Sequence, residues 1–272
     1  MQMPAGKSVV IATRLHLGKA SQPPSESKLK STLQSFTSLS TKLKEQQQHT
    51  NDEDLIVHSV VAVDSATKIE GYDLVQTVKD QISSLSANCH VLPVTPWGKF
   101  VPALNALVRY ASEDVGVDLI MFVSAEVDAS ANTIATLCNH VVTKDDDTLV
   151  AGAVLNGHEY SKGQCVPLTG RTCPWNTLAV WNVEKLSRTG FQLYSDLGTH
   201  AGVEECLAAG LYQRLFPASK IKLVELSDVS WQESFEDDAE RKRWHEQKMK
   251  SKWERADVQL KALNLDGVVD HV

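Results

Sequence analysis

The chain has 272 residues, of which 42% are hydrophobic, a composition typical of a globular protein that can bury a full core. Its formal net charge of -7 argues against broad binding to nucleic acid or to anionic membranes. The five cysteines lack paired CxxC spacing, so neither a disulfide framework nor a zinc site is indicated. No stretch reaches the roughly 18 to 20 consecutive apolar residues of a membrane helix, and we expect a cytoplasmic protein without an integral membrane segment.

The first predicted strand is the apolar run Ser8–Ala12. Thr13 and Arg14 follow it, at a junction that would face a ligand in an open α/β sheet. Residues 18–54 are rich in Ser, Gln, Lys and Thr. Their middle has the spacing of a weak amphipathic helix, but the flanks indicate a flexible polar insertion. We therefore expect a mobile loop near the first strand.

Two further strands are predicted over residues 55–63 and 89–94, each followed by a helix. Asp64 ends the first of them, where a carboxylate either binds a nucleoside or caps the next turn. Lys99 follows the other strand, close to the start of its helix. Backbone N–H groups, the helix dipole and the ammonium would together favour an anion at that place.

The fourth predicted strand, Leu119–Ser124, is apolar enough to be buried on both faces of a parallel sheet. Glu126 and Asp128 follow it. Two carboxylates spaced by one residue can hold Mg²⁺ or Mn²⁺, which would share its ligands with substrate phosphates. A second interpretation stays open, in which Asp128, Ser130 and Asn132 cap the following helix.

The rest of the chain continues the alternation of strands and helices. An apolar strand over residues 149–155 precedes a long polar loop over 157–174. A helix then begins after Gly202, with Glu204 and Glu205 in its first turn. Those acids either complement the helix dipole or present a general base. A last strand over 221–226 precedes a charged helix or helix pair over 234–263. The alternation predicts a mostly parallel sheet.

Taken in order, these segments resemble the GT-A fold glycosyltransferases, and most closely family 2 of the nucleotide-diphospho-sugar transferases. A Gly-Lys pair before Ala-Leu-Asn is the most specific local match. The matching segments are SVVIATR, VVAVDSAT, GKFVPALNALVRYA, DLIMFVSAEVD, PWNTLAVWNVEKLSRTGF and GVEECLAAGLYQRL.

The resemblance implies a single Rossmann-like GT-A domain over residues 1–232, with the polar insertion at 18–54, and a C-terminal charged helical extension over 233–272. It also implies transfer of one sugar from a nucleotide-diphosphate-sugar donor to a hydroxyl acceptor, with inversion and with the help of Mn²⁺ or Mg²⁺. In that scheme Glu205, preceded by Glu204, is the base and Asp64 binds the nucleoside. The cation would be held by Glu126 and Asp128. The remaining implied site residues are Thr13, Arg14, Lys99, Ser124 and Trp175, with Trp175 or Trp181 stacking on the acceptor.

Two metal-binding positions depart from the family pattern, and the base position carries Glu205 in place of aspartate. Ser124 stands where the first aspartate of the DxD motif is expected, and Trp231 lies where many members place a metal-binding histidine. These departures favour a second hypothesis, a non-catalytic nucleotide-sugar-binding or scaffold protein whose C-terminal helix engages a protein partner. A third hypothesis is a nucleotidyltransferase of related topology, for which TRLHLGKAS is a poor version of the required glycine-rich basic loop.

Overall fold

A computed structural model describes residues 8–17, 22–50, 56–67, 69–85, 87–142, 147–231 and 253–272. The helices are α1 (Glu26–Thr50), α2 (Leu74–Ser84), α3 (Val101–Arg109), α4 (Ala131–Val142), α5 (Val183–Thr189), α6 (Glu204–Leu215) and a stretch over 253–262, here called α7. The strands are β1 (Ser8–Leu15), β2 (Ile56–Asp64), β3 (His90–Val94), β4 (Leu119–Val123), β5 (Val127–Ala129), β6 (Thr148–Ala153), β7 (Cys165–Pro167), β8 (Leu178–Asn182), β9 (Lys220–Val224), β10 (Val229–Trp231) and β11 (Val268–His271). A π-helical turn (Tyr110–Val115) follows α3, and a 3-10 helix (Leu193–Asp196) precedes α6.

Within the described residues, nine strands form one sheet in the order β3-β2-β1-β4-β8-β6-β9-β11-β7. The first four strands in that order are parallel, β8 runs antiparallel between β4 and β6, and β6, β9 and β11 are again parallel. Helices pack on this sheet. The predicted α/β architecture, a mostly parallel sheet flanked by helices, is confirmed.

The middle of the sheet is the core of the molecule. All five residues of β4 are buried, as expected for an apolar run covered on both faces. The adjoining strand β1 is buried from Val9 to Ala12, and β8 contributes the fully buried Trp181. A rigid, closely packed layer therefore supports the loops at the strand ends.

The helix α1 confirms the amphipathic spacing in the middle of residues 18–54 and corrects the expectation of a mobile loop over Glu26–Thr50. Its apolar side chains recur at every third or fourth position, and they pack in the main core with 5% exposure or less: Leu29, Leu33, Phe36, Leu39 and Leu43. Burial of this stripe stabilises a helix whose polar composition suggested a loop. Residues 18–21 and 51–55 lie outside the described residues.

The C-terminal segment belongs to the central sheet. β11 pairs parallel with β9 and antiparallel with β7, so the segment predicted as a helical extension ends in a sheet strand. Before it, α7 buries Ala256 and Leu260 against the domain. Residues 232–252, which hold most of the predicted charged helix, lie outside the described residues. None of the described helices has the length and apolar character that crossing a bilayer requires.

Candidate functional site

Three strands bring chemically active segments to one edge of the sheet. β1 and β4 are parallel neighbours, so their carboxyl ends meet there. β8 is antiparallel to β4, and Leu178 at its start lies opposite Val123 at the end of β4. The backbone N–H of Ser124 donates to the carbonyl of Thr177 at 2.9 Å. The segment before β8 is thereby joined to the segment after β4.

A cavity of about 240 Å³, cavity A, opens at this edge. It takes in five of the predicted site residues: Thr13, Arg14, Lys99, Ser124 and Glu126. Its other lining residues are Ala12, Leu15, His16, Thr32, Trp97, Phe100, Leu104, Phe122, Val123, Ala125 and Asn176. The ends of β1 and β4 and the start of α3 thus enclose one space.

A second cavity of about 220 Å³, cavity B, adjoins the first. It takes in the predicted residues Arg14, Ser124, Trp175, Glu204 and Glu205, together with Phe100, Asn176, Thr177, Gly202, Val203 and Arg255. Four residues line both cavities: Arg14, Phe100, Ser124 and Asn176. The two spaces are therefore neighbours that share a wall.

Arg14 supplies a positive charge to the wall that the two cavities share. Its Nη1 donates to the carbonyl of Phe100 at 3.3 Å, and the guanidinium carbon lies 5.9 Å from the centroid of the Phe100 ring. The same Nη1 lies 3.7 Å from Glu204 Oε1. A guanidinium has five N–H donors, so these contacts leave Arg14 the capacity to bind an anion at the junction of the cavities.

The start of α6 places two carboxylates at cavity B. Val203 precedes the helix in the left-handed region, with φ 57°, and no side chain caps the helix start. Glu204 and Glu205 are both buried, and Glu205 Oε1 accepts from the backbone N–H of Asn176 at 2.9 Å. Both acids complement the helix dipole. Because they also line cavity B, the dipole interpretation and the base interpretation are compatible.

Asn176 connects the base candidate to both cavities, and the sequence analysis missed it. Its Oδ1 accepts from Trp181 Nε1 at 2.9 Å. An indole N–H only donates, so this bond fixes the orientation of the amide. The Nδ2 group is then left buried without a hydrogen-bond partner among the residues that the structure describes. Such a buried donor is destabilising by about 1–3 kcal/mol until it gains an acceptor.

Trp97 carries a second N–H group of this kind. Its side chain is 7% exposed and lines cavity A, and its Nε1 has no hydrogen-bond partner within the described part of the chain. The His16 ring lies 5.8 Å from the Trp97 ring. Burial, and secondarily the charge of Arg14, lowers the pKa of His16, although Asp64 acts in the opposite direction. The lowered pKa favours the neutral imidazole of His16 at pH 7.

The predicted anion site at the start of α3 is corrected by the structure. The carboxylate of Asp196 accepts from the backbone N–H groups of Lys99, Phe100 and Val101 at 2.9–3.2 Å. A Cβ at Gly98 would meet Asp196 Oδ2 at 2.6 Å, so the glycine permits this approach. The Lys99 ammonium donates to the carbonyl of Gly198 at 3.0 Å. Because the Asp196 carboxylate occupies the N–H groups at the start of α3, these groups are not available to a ligand. The Lys99 side chain, which lines cavity A, is available.

Asp64 has the contacts of a turn cap. Its two carboxylate oxygens accept from the N–H groups of Ala66 and Thr67 and from the Thr67 hydroxyl. It is 2% exposed and lines neither cavity A nor cavity B. These contacts favour the capping interpretation of Asp64, and its role in nucleoside binding stays a prediction.

The two predicted cation ligands are not brought together. Asp128 lies in β5, its Oδ1 is 2.7 Å from Lys42 Nζ, and both residues line a separate surface groove between α1, β5 and β10. Glu126 is the one acidic side chain among the described residues that line cavity A. The described residues contain no group of three or more His, Cys, Asp or Glu side chains suited to a metal ion. The donor set therefore does not fit a cation held by two carboxylates.

The tryptophans predicted to stack on an acceptor are deeply buried. Trp175 lines cavity B but is 4% exposed, its Nε1 donates to the carbonyl of Gly170, and its ring lies 3.8 Å from that of His158. Trp181 is fully buried in β8. Neither side chain offers an open face for stacking in this arrangement.

Arg255 is a further cavity residue that the sequence analysis missed. It lies in α7, its Nη1 donates to the carbonyl of Ala201 at 3.0 Å, and it lines cavity B. Its place depends on the docking of α7 against distant parts of the chain, which no local pattern reveals. The C-terminal segment therefore contributes to the wall of this site.

A scan against protein-family models finds no match, and a search of curated proteins finds none. Among solved structures, glucosyl-3-phosphoglycerate synthase from Mycobacterium tuberculosis, with Mn²⁺, UDP-glucose and glycerol 3-phosphate, is similar at a TM-score of 0.49 and 14% identity, over 93% of this chain and 81% of that one. A protein from Desulfovibrio desulfuricans assigned as a nucleotide-diphospho-sugar transferase is similar at a TM-score of 0.40 and 11% identity, over 90% of this chain and 97% of that one.

Proposed function

We propose that this protein is a glycosyltransferase that moves one sugar from a nucleotide-diphosphate-sugar donor to a hydroxyl acceptor. The observation that carries the proposal is the pair of adjoining cavities with a shared wall at the carboxyl edge of a largely parallel sheet. Transfer between two substrates requires that both be held side by side, with their reacting atoms in contact. Cavity A would take the donor and cavity B the acceptor.

In this proposal Glu205 is the general base. Its carboxylate lines cavity B, and the bond that Oε1 accepts from the N–H of Asn176 fixes its orientation. The other oxygen, Oε2, would take the proton of the acceptor hydroxyl. The hydroxyl oxygen would at the same time attack the anomeric carbon. In-line attack from the side opposite the leaving diphosphate would invert the configuration at that carbon.

Arg14 and Asn176 would act at the shared wall. The charge of Arg14 lies where the bond between sugar and diphosphate would break, so it would stabilise the negative charge that develops on the leaving group. Asn176 would position Glu205 through its backbone N–H. It would also offer its Nδ2 group to an oxygen of the bound donor.

A thermal-shift screen of nucleotide sugars tests donor binding. A donor at one hundred times its Kd should stabilise the protein by about 2.7 kcal/mol and raise its Tm by roughly 5 to 10 °C. UDP-sugars and GDP-sugars form the test set, and the corresponding free sugars are the controls. If none of these donors raised the Tm, transfer from UDP-sugars and GDP-sugars would be contradicted.

The non-catalytic alternative makes a different prediction in the same preparation. Ser124 in place of the expected aspartate is the observation that favours it. A binding protein would show the donor-induced shift but would release no nucleoside diphosphate, with or without an acceptor. Release of the diphosphate during incubation would exclude that alternative.

A further inference from the structure

The lining of cavity A has more positive and N–H groups than acidic ones. Arg14 and Lys99 supply two cations, and Glu126 is the one carboxylate among the described lining residues. Asp128 would be the second carboxylate ligand of a DxD-like metal site, but it forms an ion pair with Lys42 in a different groove. For Asp128 to reach a cation beside Glu126, it would have to break that ion pair and leave the β5–β10 ladder, in which it pairs with Ser230.

Two buried N–H groups add to the positive character of this cavity. Trp97 Nε1 and Asn176 Nδ2 have no hydrogen-bond partner among the described residues, although each side chain is more than nine-tenths buried and lines cavity A. Buried donors normally have acceptors. A ligand rich in acceptor oxygens would supply them, whereas a bare cation would be repelled by the same groups.

We infer that cavity A binds the diphosphate of its donor directly, through Arg14, Lys99 and the N–H groups of Trp97 and Asn176, without a divalent cation. This inference rests on the proposed function. The protein would then differ from enzymes that hold the leaving diphosphate through Mg²⁺ or Mn²⁺, because the guanidinium of Arg14 supplies the neutralising charge at that place. Arginine suits the role, since its planar fork matches the geometry of phosphate oxygens.

Titration calorimetry with UDP and GDP tests the inference on the full chain. The affinity of the nucleotide that binds should agree within about threefold between buffer with excess EDTA and buffer with added Mn²⁺. Binding that appears only with Mn²⁺ would overturn the inference and leave the proposed function intact. Absence of binding by both nucleotides under both conditions would instead contradict the proposed function.

Substitutions at Arg14 and Glu126, with opposite expected effects on diphosphate affinity, sharpen the test. Arg14→Gln should weaken diphosphate binding about tenfold or more, because a charge-assisted contact is lost, and Arg14→Lys should restore part of it. Glu126→Gln should tighten diphosphate binding by up to about fivefold, since it removes a negative charge from an anion site. If Glu126 held a cation, the same substitution would weaken binding in Mn²⁺, and that result would overturn the inference.

Discussion

Replacing Glu205 by glutamine is expected to lower kcat by about 10²–10⁴-fold and to leave donor affinity nearly unchanged. The amide cannot accept the proton of the acceptor hydroxyl, but its oxygen can still accept from the N–H of Asn176, so the start of α6 should keep its conformation. The measurement is release of nucleoside diphosphate under donor saturation, with donor affinity determined separately by calorimetry.

The control for this prediction is Glu113→Gln, which removes a carboxylate that pairs with Arg109 on the surface of the π-helical turn. It should retain full turnover and an unchanged melting temperature. The base assignment would be wrong if Glu205→Gln turned over a competent donor and acceptor at the rate of the unmodified protein. A lower melting temperature of Glu205→Gln would point to a structural contribution instead.

Replacing Gly170 by alanine is expected to displace α7 from the domain. An added Cβ would lie 2.8 Å from Trp253 Cα and 2.9 Å from the Trp253 carbonyl oxygen, and backbone atoms cannot move aside as a side chain can. Overpacking of this kind destabilises a protein by about 1–3 kcal/mol. Because α7 carries Arg255, the shift should also weaken whatever binds in cavity B.

Gly210→Ala is the matched control for this substitution. Gly210 is buried in α6, and its added Cβ would meet side-chain atoms, the nearest being Leu260 Cδ2 at 3.1 Å. Alanine is favoured over glycine inside a helix by about 1 kcal/mol, which offsets this contact. The free energy of unfolding measured in urea should therefore be lower for Gly170→Ala than for Gly210→Ala. Equal stability of both would show that α7 does not pack against Gly170 as described.

The order of buried strands and the positions of the main helices follow from local patterns. The apolar run at β4 and the acidic first turn of α6 lie where their sequence indicates, because burial on both faces and helix periodicity are properties of a few neighbouring residues. The pairing of β1 with β4, whose ends line one cavity, joins distant segments and does not follow from these local patterns.

The contacts that the sequence could not predict are made between distant segments. Asp128 pairs with Lys42, 86 residues away, and Asp196 binds the start of α3 across 95 to 97 residues. The first contact engages Asp128, which the local motif predicted to be a metal ligand. The second occupies the start of α3, where the local motif predicted a bound anion. The spacing of residues along the chain cannot show which distant side chain contacts a motif in the folded protein.

The polar composition of residues 18–54 favoured a mobile loop, although the apolar spacing in their middle is that of the helix α1. A loop and a helix that is polar on all but one narrow stripe have similar average composition. The stripe through Leu33 and Phe36 is stabilised only once it packs on the sheet, so tertiary burial decides the outcome.

A crystal structure of the protein with the nucleotide sugar that stabilises it most would locate both substrate sites directly. We expect the diphosphate in cavity A against Arg14, with the sugar directed across the shared wall toward Glu205 in cavity B. A nucleotide bound elsewhere, such as the groove beside Lys42 and Asp128, would contradict this expectation.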